Sequence, residues 1–303
     1  MRLAACSGFF AALALVCAAC GGHVAAQAGP RYDVHGHVLY MLCTGSGSPT
    51  VVLEAGLGTD HTSWSLVQPA IARTTRVCSY DRYGVGLSDL APRRATASEK
   101  VKDLHDLLAA AGIHGPYVLV GHSYGGLIVH VYAATYPRDV AGIVLVDSSH
   151  PDQIGRLEAA LPPRRAGESL DVREFRDALR IGSNPEGVDW KQSTDEARRA
   201  PGLGDKPLVV VTAGDKHQWL TEVAIDRRLL GAWLSLQDDL ARLSTDSVHV
   251  VALHSPHFVM SSMGQPALVV RAVRAVVAAV RSHARLPTCR DLFASPGAGC
   301  VAK

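Results

Sequence analysis

A short turn between a strand and a helix constrains the fold of this chain most. Residues 117–120 form an apolar run typical of a strand, and residues 121–125, Gly-His-Ser-Tyr-Gly, follow directly. An apolar stretch typical of a helix then covers residues 127–136 and stops at Pro137. The order strand, G-x-S-x-G, helix is typical of a nucleophile elbow, where a sharp turn exposes the serine hydroxyl. The pattern predicts that Ser123 is a nucleophile at the end of a strand.

Short strand patterns alternate with helical patterns over most of the chain. Besides residues 117–120, they cover residues 50–54, 76–80, 142–146, 208–212 and 248–253. A helical pattern over residues 266–283 closes the series. This alternation predicts an α/β fold with a mostly parallel central sheet and helices on both faces. A further strand is predicted over residues 31–41, with His35 and His37 on one face.

The first 28 residues differ from the rest of the chain. Arg2 precedes an apolar run over residues 9–19, and small residues follow up to Ala-Gln-Ala at 26–28. A charged start, a short apolar stretch and an A-x-A site are typical of a secretory signal peptide. Lipoprotein processing with anchoring at Cys20 is the alternative. The run is too short to span a bilayer, so we expect an exported chain, secreted or periplasmic, without a transmembrane segment.

Strand patterns and residue composition divide the remaining chain into a core, an insertion and a tail. We assign residues 29–148 and 207–285 to the α/β core, because the strand patterns fall there. Between residues 149 and 206 the strand patterns stop, while prolines and charged residues become frequent. We interpret this segment as a small helical cap over the strand ends, and residues 286–303 as a C-terminal tail.

Composition narrows the function classes without naming one. The chain has 303 residues, of which 48% are hydrophobic and 19% are charged, as in a globular chain with a large core. A net charge of +2, with acids and bases mixed along the chain, does not favour nucleic acid or an anionic membrane as a partner. No cofactor and no metal site is predicted, and the oligomeric state stays open.

Four cysteines follow the signal region, and their number favours disulfides. An even count in an exported chain is typical of paired cysteines, although a buried free thiol is the alternative for each. Three pairings are possible, of which the simplest is Cys43–Cys78 and Cys289–Cys300.

Candidate catalytic residues follow several of the predicted strands. Ligands of parallel sheets bind beyond the carboxyl ends of the strands, and a serine nucleophile needs a base that an acid orients. His257 is the candidate base, because it follows the last strand and lies late in the chain. His254 is the nearest alternative, and His122 of the elbow is expected to be structural.

Two aspartates could orient that base. Asp147 ends the strand pattern at 142–146, and Asp215 follows the pattern at 208–212, so both would reach the same imidazole. The reaction would also need two N–H donors for an oxyanion. The candidates are the backbone of Tyr124, directly after the nucleophile, and of Leu57 in an early Gly-Leu-Gly turn.

Four motifs in this order resemble the α/β-hydrolase fold superfamily, specifically its cap-bearing serine branch. They are Glu-Ala-Gly-Leu-Gly at 54–58, Asp-Arg-Tyr-Gly-Val-Gly-Leu-Ser at 81–88, Gly-His-Ser-Tyr-Gly-Gly at 121–126 and Ser-Pro-His-Phe at 255–258. The resemblance runs from about residue 31 to residue 283. It implies neighbouring strands for Cys43 and Cys78, which favours their disulfide.

The resemblance implies a serine hydrolase acting on a small molecule, with carboxylic-ester hydrolysis placed first. Peptide, lactone or carbon–carbon hydrolysis at the same site, or ligand binding with negligible turnover, are the alternatives. A serine at the elbow argues against haloalkane dehalogenase or epoxide hydrolase chemistry, for which this fold uses an aspartate.

The chain departs from the family pattern at three places. Ala55-Gly56 replaces a common His-Gly pair, and Pro256 replaces a common glycine before the catalytic histidine. Asp215 comes immediately after Gly214, whereas many members place the acid about three residues beyond that glycine. The third departure favours Asp147 as the acid.

Overall fold

The computed structural model describes residues 29–91, 93–179, 184, 186–215 and 220–301. The predicted signal peptide and the alternative anchor at Cys20 lie outside the described residues. Within the described ranges, no helix combines the length and the apolar character that crossing a membrane requires.

A nine-stranded sheet forms the centre of the molecule. Its strands are β1 (Arg31–Val34), β2 (His37–Thr44), β3 (Thr50–Glu54), β4 (Val77–Asp81), β5 (Tyr117–His122), β6 (Val140–Val146), β7 (Leu208–Ala213), β8 (Ser247–Ala252) and β9 (Ala298–Cys300). They lie in the order β1-β2-β4-β3-β5-β6-β7-β8-β9. The six strands from β4 to β8 are parallel, and β1, β2 and β9 join antiparallel at the edges. The predicted fold class is confirmed.

Helices cover both faces of the sheet. They are α1 (Gln68–Ala72), α2 (Ala97–Ala110), α3 (Tyr124–Thr135), α4 (Gln153–Ala160), α5 (Leu170–Ala178), α6 (Trp190–Arg199), α7 (Val223–Ala241), α8 (Pro266–Ser282) and α9 (Cys289–Leu292). One apolar cluster joins α2 and α3 to the sheet, and another joins α1 and α8 to it. The inner strands are buried on both faces, which explains their nearly continuous Val and Leu runs.

The segment between β6 and β7 carries α4, α5 and α6. Leu157 of α4 and Val172 of α5 share an apolar cluster with Leu229 and Leu236 of α7. Trp190 of α6 approaches the elbow, because its ring centroid lies 5.6 Å from that of Tyr124. The segment is therefore helical and touches the elbow helix, while its role as a cap stays a prediction.

The strand predicted over residues 31–41 is wrong, because the chain reverses inside it. His35 (φ 57°) and Gly36 (φ 81°) form a left-handed turn, and β1 and β2 pair antiparallel on either side of it. His35 lies at the turn beside Asp106, 2.6 Å from its carboxylate. An alternating pattern on both arms of a hairpin reads as one strand when the turn has only two residues.

The four cysteines form two disulfides. Cys43 of β2 and Cys78 of β4 are cross-strand partners, and their sulfur atoms are bonded. Cys289 of α9 is bonded to Cys300 of β9. The two predicted pairings are thus those in the structure.

Candidate active site

Ser123 connects β5 to α3 through a turn that few residues tolerate. Its backbone has φ 51° and ψ −123°, outside the usual regions for a residue with a side chain. Such strained conformations cluster at functional sites. The turn also packs tightly against the end of β3, since a Cβ at Gly125 would lie 2.5 Å from the carbonyl oxygen of Ala55. This packing explains why the elbow needs its glycine.

His257 and Asp147 meet at the carboxyl ends of the strands. The Nδ1 atom of His257 lies 2.5 Å from Oδ2 of Asp147, although 110 residues separate them along the chain. The Asp147 side chain is fully buried, whereas that of His257 is 36% exposed. A buried acid can therefore orient a base that solvent or a substrate still reaches.

The second oxygen of Asp147 is held by two donors. Its Oδ1 atom accepts from the backbone N–H of Ala213 at 3.0 Å and from Nε1 of Trp233 at 2.8 Å. These contacts satisfy the buried carboxylate and leave Oδ2 turned toward His257. Trp233 lies on α7, where no sequence motif pointed to it.

His257 lies beside the elbow. Its carbonyl oxygen accepts from Nε2 of His122 at 3.0 Å, and the two imidazole centroids are 4.6 Å apart. Ser123 and His257 are not hydrogen-bonded in this structure. In many enzymes this bond shortens only when substrate binds.

The alternative candidates form backbone hydrogen bonds with other residues. Asp215 is exposed, and its backbone N–H donates to the carbonyl oxygen of Ser255 at 3.0 Å. His254 is also exposed, and its N–H donates to Oε1 of Gln265 at 3.0 Å. Of the two aspartates, Asp147 is the one in contact with His257.

The predicted oxyanion amides belong to two turns that meet at the serine. A Cβ at Gly56 would lie 3.3 Å from Cβ of Ser123, so the turn before Leu57 presses against the elbow. Tyr124 begins α3, where backbone N–H groups have no intrahelical acceptor. Among the described residues, neither the Leu57 nor the Tyr124 N–H has a hydrogen-bond acceptor.

A buried cluster of charges lies behind the Gly56-Leu57 turn. Arg82 is 4% exposed, and its Nε and Nη2 atoms donate to the two carboxylate oxygens of Glu186 at 2.6 and 2.8 Å. Its Nη1 atom donates to the Glu54 carboxylate and, at 2.7 Å, to the Ala55 carbonyl. Its Nη2 atom also donates to the Gly56 carbonyl at 2.6 Å.

Burial and neighbouring charges shift the pKa values of the groups in this cluster. Burial raises the pKa of Glu54 despite Arg82. Burial also acts to raise the pKa of Glu186, but Arg82 outweighs it, so that this pKa falls below its usual value. Burial lowers the pKa of Lys100, whose Nζ atom is 3.7 Å from Glu186. Glu186 comes from the α5–α6 connection, 104 positions from Arg82, and no motif pointed to it.

One group of described side chains has the spacing of metal ligands. Asp60, His61 and Asp81 place their ligand atoms within 4.8 Å of one another. Protein donors already use these oxygens, because Asp81 accepts from the His61 backbone at 2.7 Å and from the Leu87 backbone at 2.8 Å. Asp60 likewise caps its own turn. We therefore interpret these three residues as a structural hydrogen-bond network that joins the loop after β3 to the end of β4.

The chain belongs to the alpha/beta hydrolase fold family, whose model matches residues 49–271. The matched range contains Ser123, Asp147 and His257.

Similarity to individual proteins supports this placement. The uncharacterized protein YqjL of Bacillus subtilis is 30% identical over 214 residues, which cover 70% of this chain and 78% of that protein. A thermophilic esterase from Thermogutta terrifontis superposes with a TM-score of 0.57 at 23% identity, covering 83% of this chain and 98% of the esterase. An N-acyl homoserine lactone degrading enzyme gives 0.52 at 20% identity, with 81% and 99% covered. These two structures show the shared fold.

Proposed function

We propose that this chain is a serine hydrolase that cleaves carboxylic esters with Ser123, His257 and Asp147. The observation that carries the proposal is the 2.5 Å contact between His257 and the buried Asp147, beside a strained elbow serine. A fixed imidazole next to a partly exposed serine is what the serine needs to become a nucleophile.

The acylation step follows from this arrangement. Because Asp147 occupies Nδ1 of His257, the Nε2 atom is left to take the proton of Ser123. The Ser123 oxygen then bonds to the ester carbonyl carbon, and the carbonyl oxygen becomes an oxyanion. The Leu57 and Tyr124 N–H groups stabilise this charge. His257 passes its proton to the alkoxy oxygen, the carbon–oxygen bond breaks, and the alcohol leaves.

Hydrolysis of the acyl-enzyme repeats these steps with water. His257 takes a proton from water as its oxygen attacks the acyl carbon, and the same two amides hold the second oxyanion. The bond to Ser123 breaks, the serine regains its proton from His257, and a carboxylic acid leaves. Asp147 stays ionised and stabilises the imidazolium in both halves.

The exposed apolar side chains favour an ester with an apolar acyl or alkyl group. Six large exposed apolar side chains follow three of the parallel strands: Leu66 follows β3, Leu87 and Leu90 follow β4, and Leu253, Phe258 and Met263 follow β8. Two more, Leu170 and Val223, begin α5 and α7. Ligands of parallel sheets bind beyond the carboxyl ends of the strands, so the side chains that follow these strands can contact an apolar group of the substrate. We therefore expect p-nitrophenyl butyrate and hexanoate to be better substrates than the acetate.

Activity-based labelling tests the proposal directly. A fluorophosphonate probe should add to Ser123 of the folded protein, and Ser123→Ala should abolish both labelling and ester hydrolysis. A parallel panel of peptides, lactones and C–C substrates separates ester hydrolysis from the other reactions of this site. A folded protein that neither reacts with the probe nor cleaves any ester would contradict the proposal, and tight binding without turnover would favour a ligand-binding protein.

The identity of the acid gives an independent prediction. Asp147→Asn should lower kcat by about 10⁴-fold, because the amide favours the wrong imidazole tautomer. Asp215→Asn is the matched control and should leave kcat within about twofold of wild type, because Nδ1 of His257 is bonded to Asp147. Steady-state kinetics on both variants decide the matter, and equally mild losses in the two would reject this triad.

We infer that the chain is exported. Residues 1–28 have signal-peptide character, and two disulfides suit an oxidising compartment. Expression of the full chain in a bacterium, followed by fractionation and N-terminal mass spectrometry, tests this. Gly29 at the amino terminus supports signal-peptide cleavage, a lipid-modified Cys20 supports anchoring, and an uncleaved cytoplasmic protein rejects export.

A further inference from the structure

We propose that Arg82 is a positioning residue that aims the Leu57 N–H at the oxyanion. This inference rests on the proposed function. It concerns a side chain that does not touch the reacting atoms and acts through one peptide bond.

The argument starts from the geometry of a single peptide unit. The carbonyl of Gly56 and the N–H of Leu57 belong to the same planar unit, and in a trans peptide they point in opposite directions. The two cis bonds among the described residues lie elsewhere, before Pro49 and Pro116. Whatever holds the Gly56 oxygen therefore fixes the direction of the Leu57 N–H.

Arg82 holds that oxygen together with Thr59. Its Nη2 atom donates to the Gly56 carbonyl at 2.6 Å, and Thr59 donates to the same oxygen from Oγ1 at 2.9 Å and from its backbone at 3.2 Å. A charged donor on the carbonyl also polarises the peptide, which strengthens its N–H as a donor. Arg82 thus contributes orientation and electrostatic stabilisation through the same contact.

Two buried carboxylates fix Arg82 in place. Glu54 lies at the end of β3, directly before the turn, and Glu186 comes from the inserted segment; both are fully buried. Glu186 binds the guanidinium with two oxygens, a fork geometry that an ammonium group does not reproduce. The guanidinium is therefore pre-organised before any substrate arrives.

Glu186 also holds the other side of Leu57. Its Oε1 atom accepts from the Gly58 backbone N–H at 2.6 Å. The peptide units before and after Leu57 are thereby tied to one ion pair, Arg82 through the first and Glu186 through the second. The inserted segment consequently supports the oxyanion turn as well as contacting the elbow helix.

Arg82→Lys is the informative variant, because it keeps a positive charge between Glu54 and Glu186. A compact ammonium cannot contact both carboxylates and both carbonyls at once. Since loss of a whole oxyanion donor costs roughly 10²–10³ in kcat, we expect a misaimed donor to lower kcat by at least about tenfold, with KM within about twofold. Glu186→Gln keeps the acceptors but not the charge, and should lower kcat by a smaller factor, about threefold or more.

A tetrahedral adduct separates positioning from a general loss of structure. The boron of an alkylboronic acid bonds to the serine oxygen, and the adduct places an oxygen in the oxyanion site. An ether analogue of the ester lacks the carbonyl carbon that the serine attacks, so it binds without forming such an adduct. In Arg82→Lys, boronate affinity should fall by about the same factor as kcat/KM, while ether affinity should change by less than about twofold. A purely structural defect would weaken both ligands together.

The control is Arg176→Lys, which alters another buried arginine. Arg176 is 8% exposed, and its Nη2 atom donates to Glu168 and to the Pro162 carbonyl, both within the insertion. It should lose stability without a selective loss of kcat.

If Arg82→Lys and Glu186→Gln fold and retain wild-type kcat and boronate affinity, Arg82 has no positioning role, although Ser123 labelling and ester hydrolysis would still stand. If Arg82→Lys does not fold, Glu186→Gln alone decides between these outcomes. A wild-type protein without labelling or hydrolysis would overturn the proposed function and, with it, this inference.

Discussion

Asp147 uses its two carboxylate oxygens for different purposes. One faces His257, and the other is occupied by the Ala213 and Trp233 donors. Its backbone φ of 41° places it in the left-handed region, which non-glycine residues rarely adopt. Because both oxygens of this buried carboxylate are hydrogen-bonded, rotating it away from His257 would break these bonds. At this scale the Trp233 indole is as much part of the site's geometry as the aspartate.

Trp233→Phe is expected to lower kcat while the chain stays folded. The variant removes the 2.8 Å hydrogen bond to Asp147, so that the carboxylate can turn and the imidazole loses part of its alignment. We expect a loss of roughly tenfold in kcat and of about 1.5–3 kcal/mol in stability, the usual range for a hydrogen bond to a charged group. Steady-state kinetics and urea unfolding measure the two effects.

Trp64→Phe supplies the matched control. Trp64 is fully buried, but its Nε1 atom has no hydrogen-bond partner in the described part of the chain. The two variants remove similar volume, and only one removes a bond to the acid. Equal kcat values for both would show that the Trp233 bond does not align Asp147.

At the scale of elements, the sequence predicts the features that have a local signal. Ser123, Asp147 and His257 each follow a strand, so alternation alone placed them at one edge of the sheet. The alternating pattern does not predict Glu186 or Trp233, because their partners are distant in the sequence. Glu186 lies 104 positions from Arg82, and Trp233 lies 86 positions from Asp147. The β1–β2 reversal escaped because its turn interrupts an alternating pattern for two residues only. Contacts between residues far apart in the chain produce no regular spacing in the sequence, whereas helices and strands do.

The two disulfides should differ in their effect on stability. Cys43–Cys78 closes a separation of 35 residues and Cys289–Cys300 one of 11. On the chain-entropy model these loops correspond to about 4 and about 3 kcal/mol. We expect Cys43→Ala with Cys78→Ala to destabilise the protein more than the corresponding pair at 289 and 300. Denaturant unfolding under non-reducing conditions measures both, and the reverse order would contradict the loop-length argument.

At the scale of the whole molecule, buried histidines should make the protein sensitive to acid. Burial lowers the pKa of His130, His150 and His249 below the ordinary value near 6.5. Between the lowered folded pKa and 6.5, the unfolded chain binds more protons, so stability falls as pH decreases through this window. Each histidine contributes up to about 1.4 kcal/mol per pH unit.

Unfolding midpoints at pH 7, 6 and 5 test this expectation. The free energy of unfolding should decrease at each step, and His130→Gln should make the decrease shallower. Glu54 and Asp103, whose pKa values burial raises, work in the opposite direction, but they are two groups against three. A free energy that is flat from pH 7 to pH 5 would rule out control by these histidines.

The last strand changes what the sheet offers to other molecules. β8 would otherwise end the sheet with a row of unpaired backbone N–H and C=O groups, and such a row is a template for a strand of another chain. β9 pairs with β8 over three residue positions, and Cys300 of β9 is bonded to Cys289. The far edge is β1, which is only four residues long. The two edges of the sheet are therefore strands of only four and three residues, so neither edge offers a long row of unpaired backbone groups to a strand of another chain.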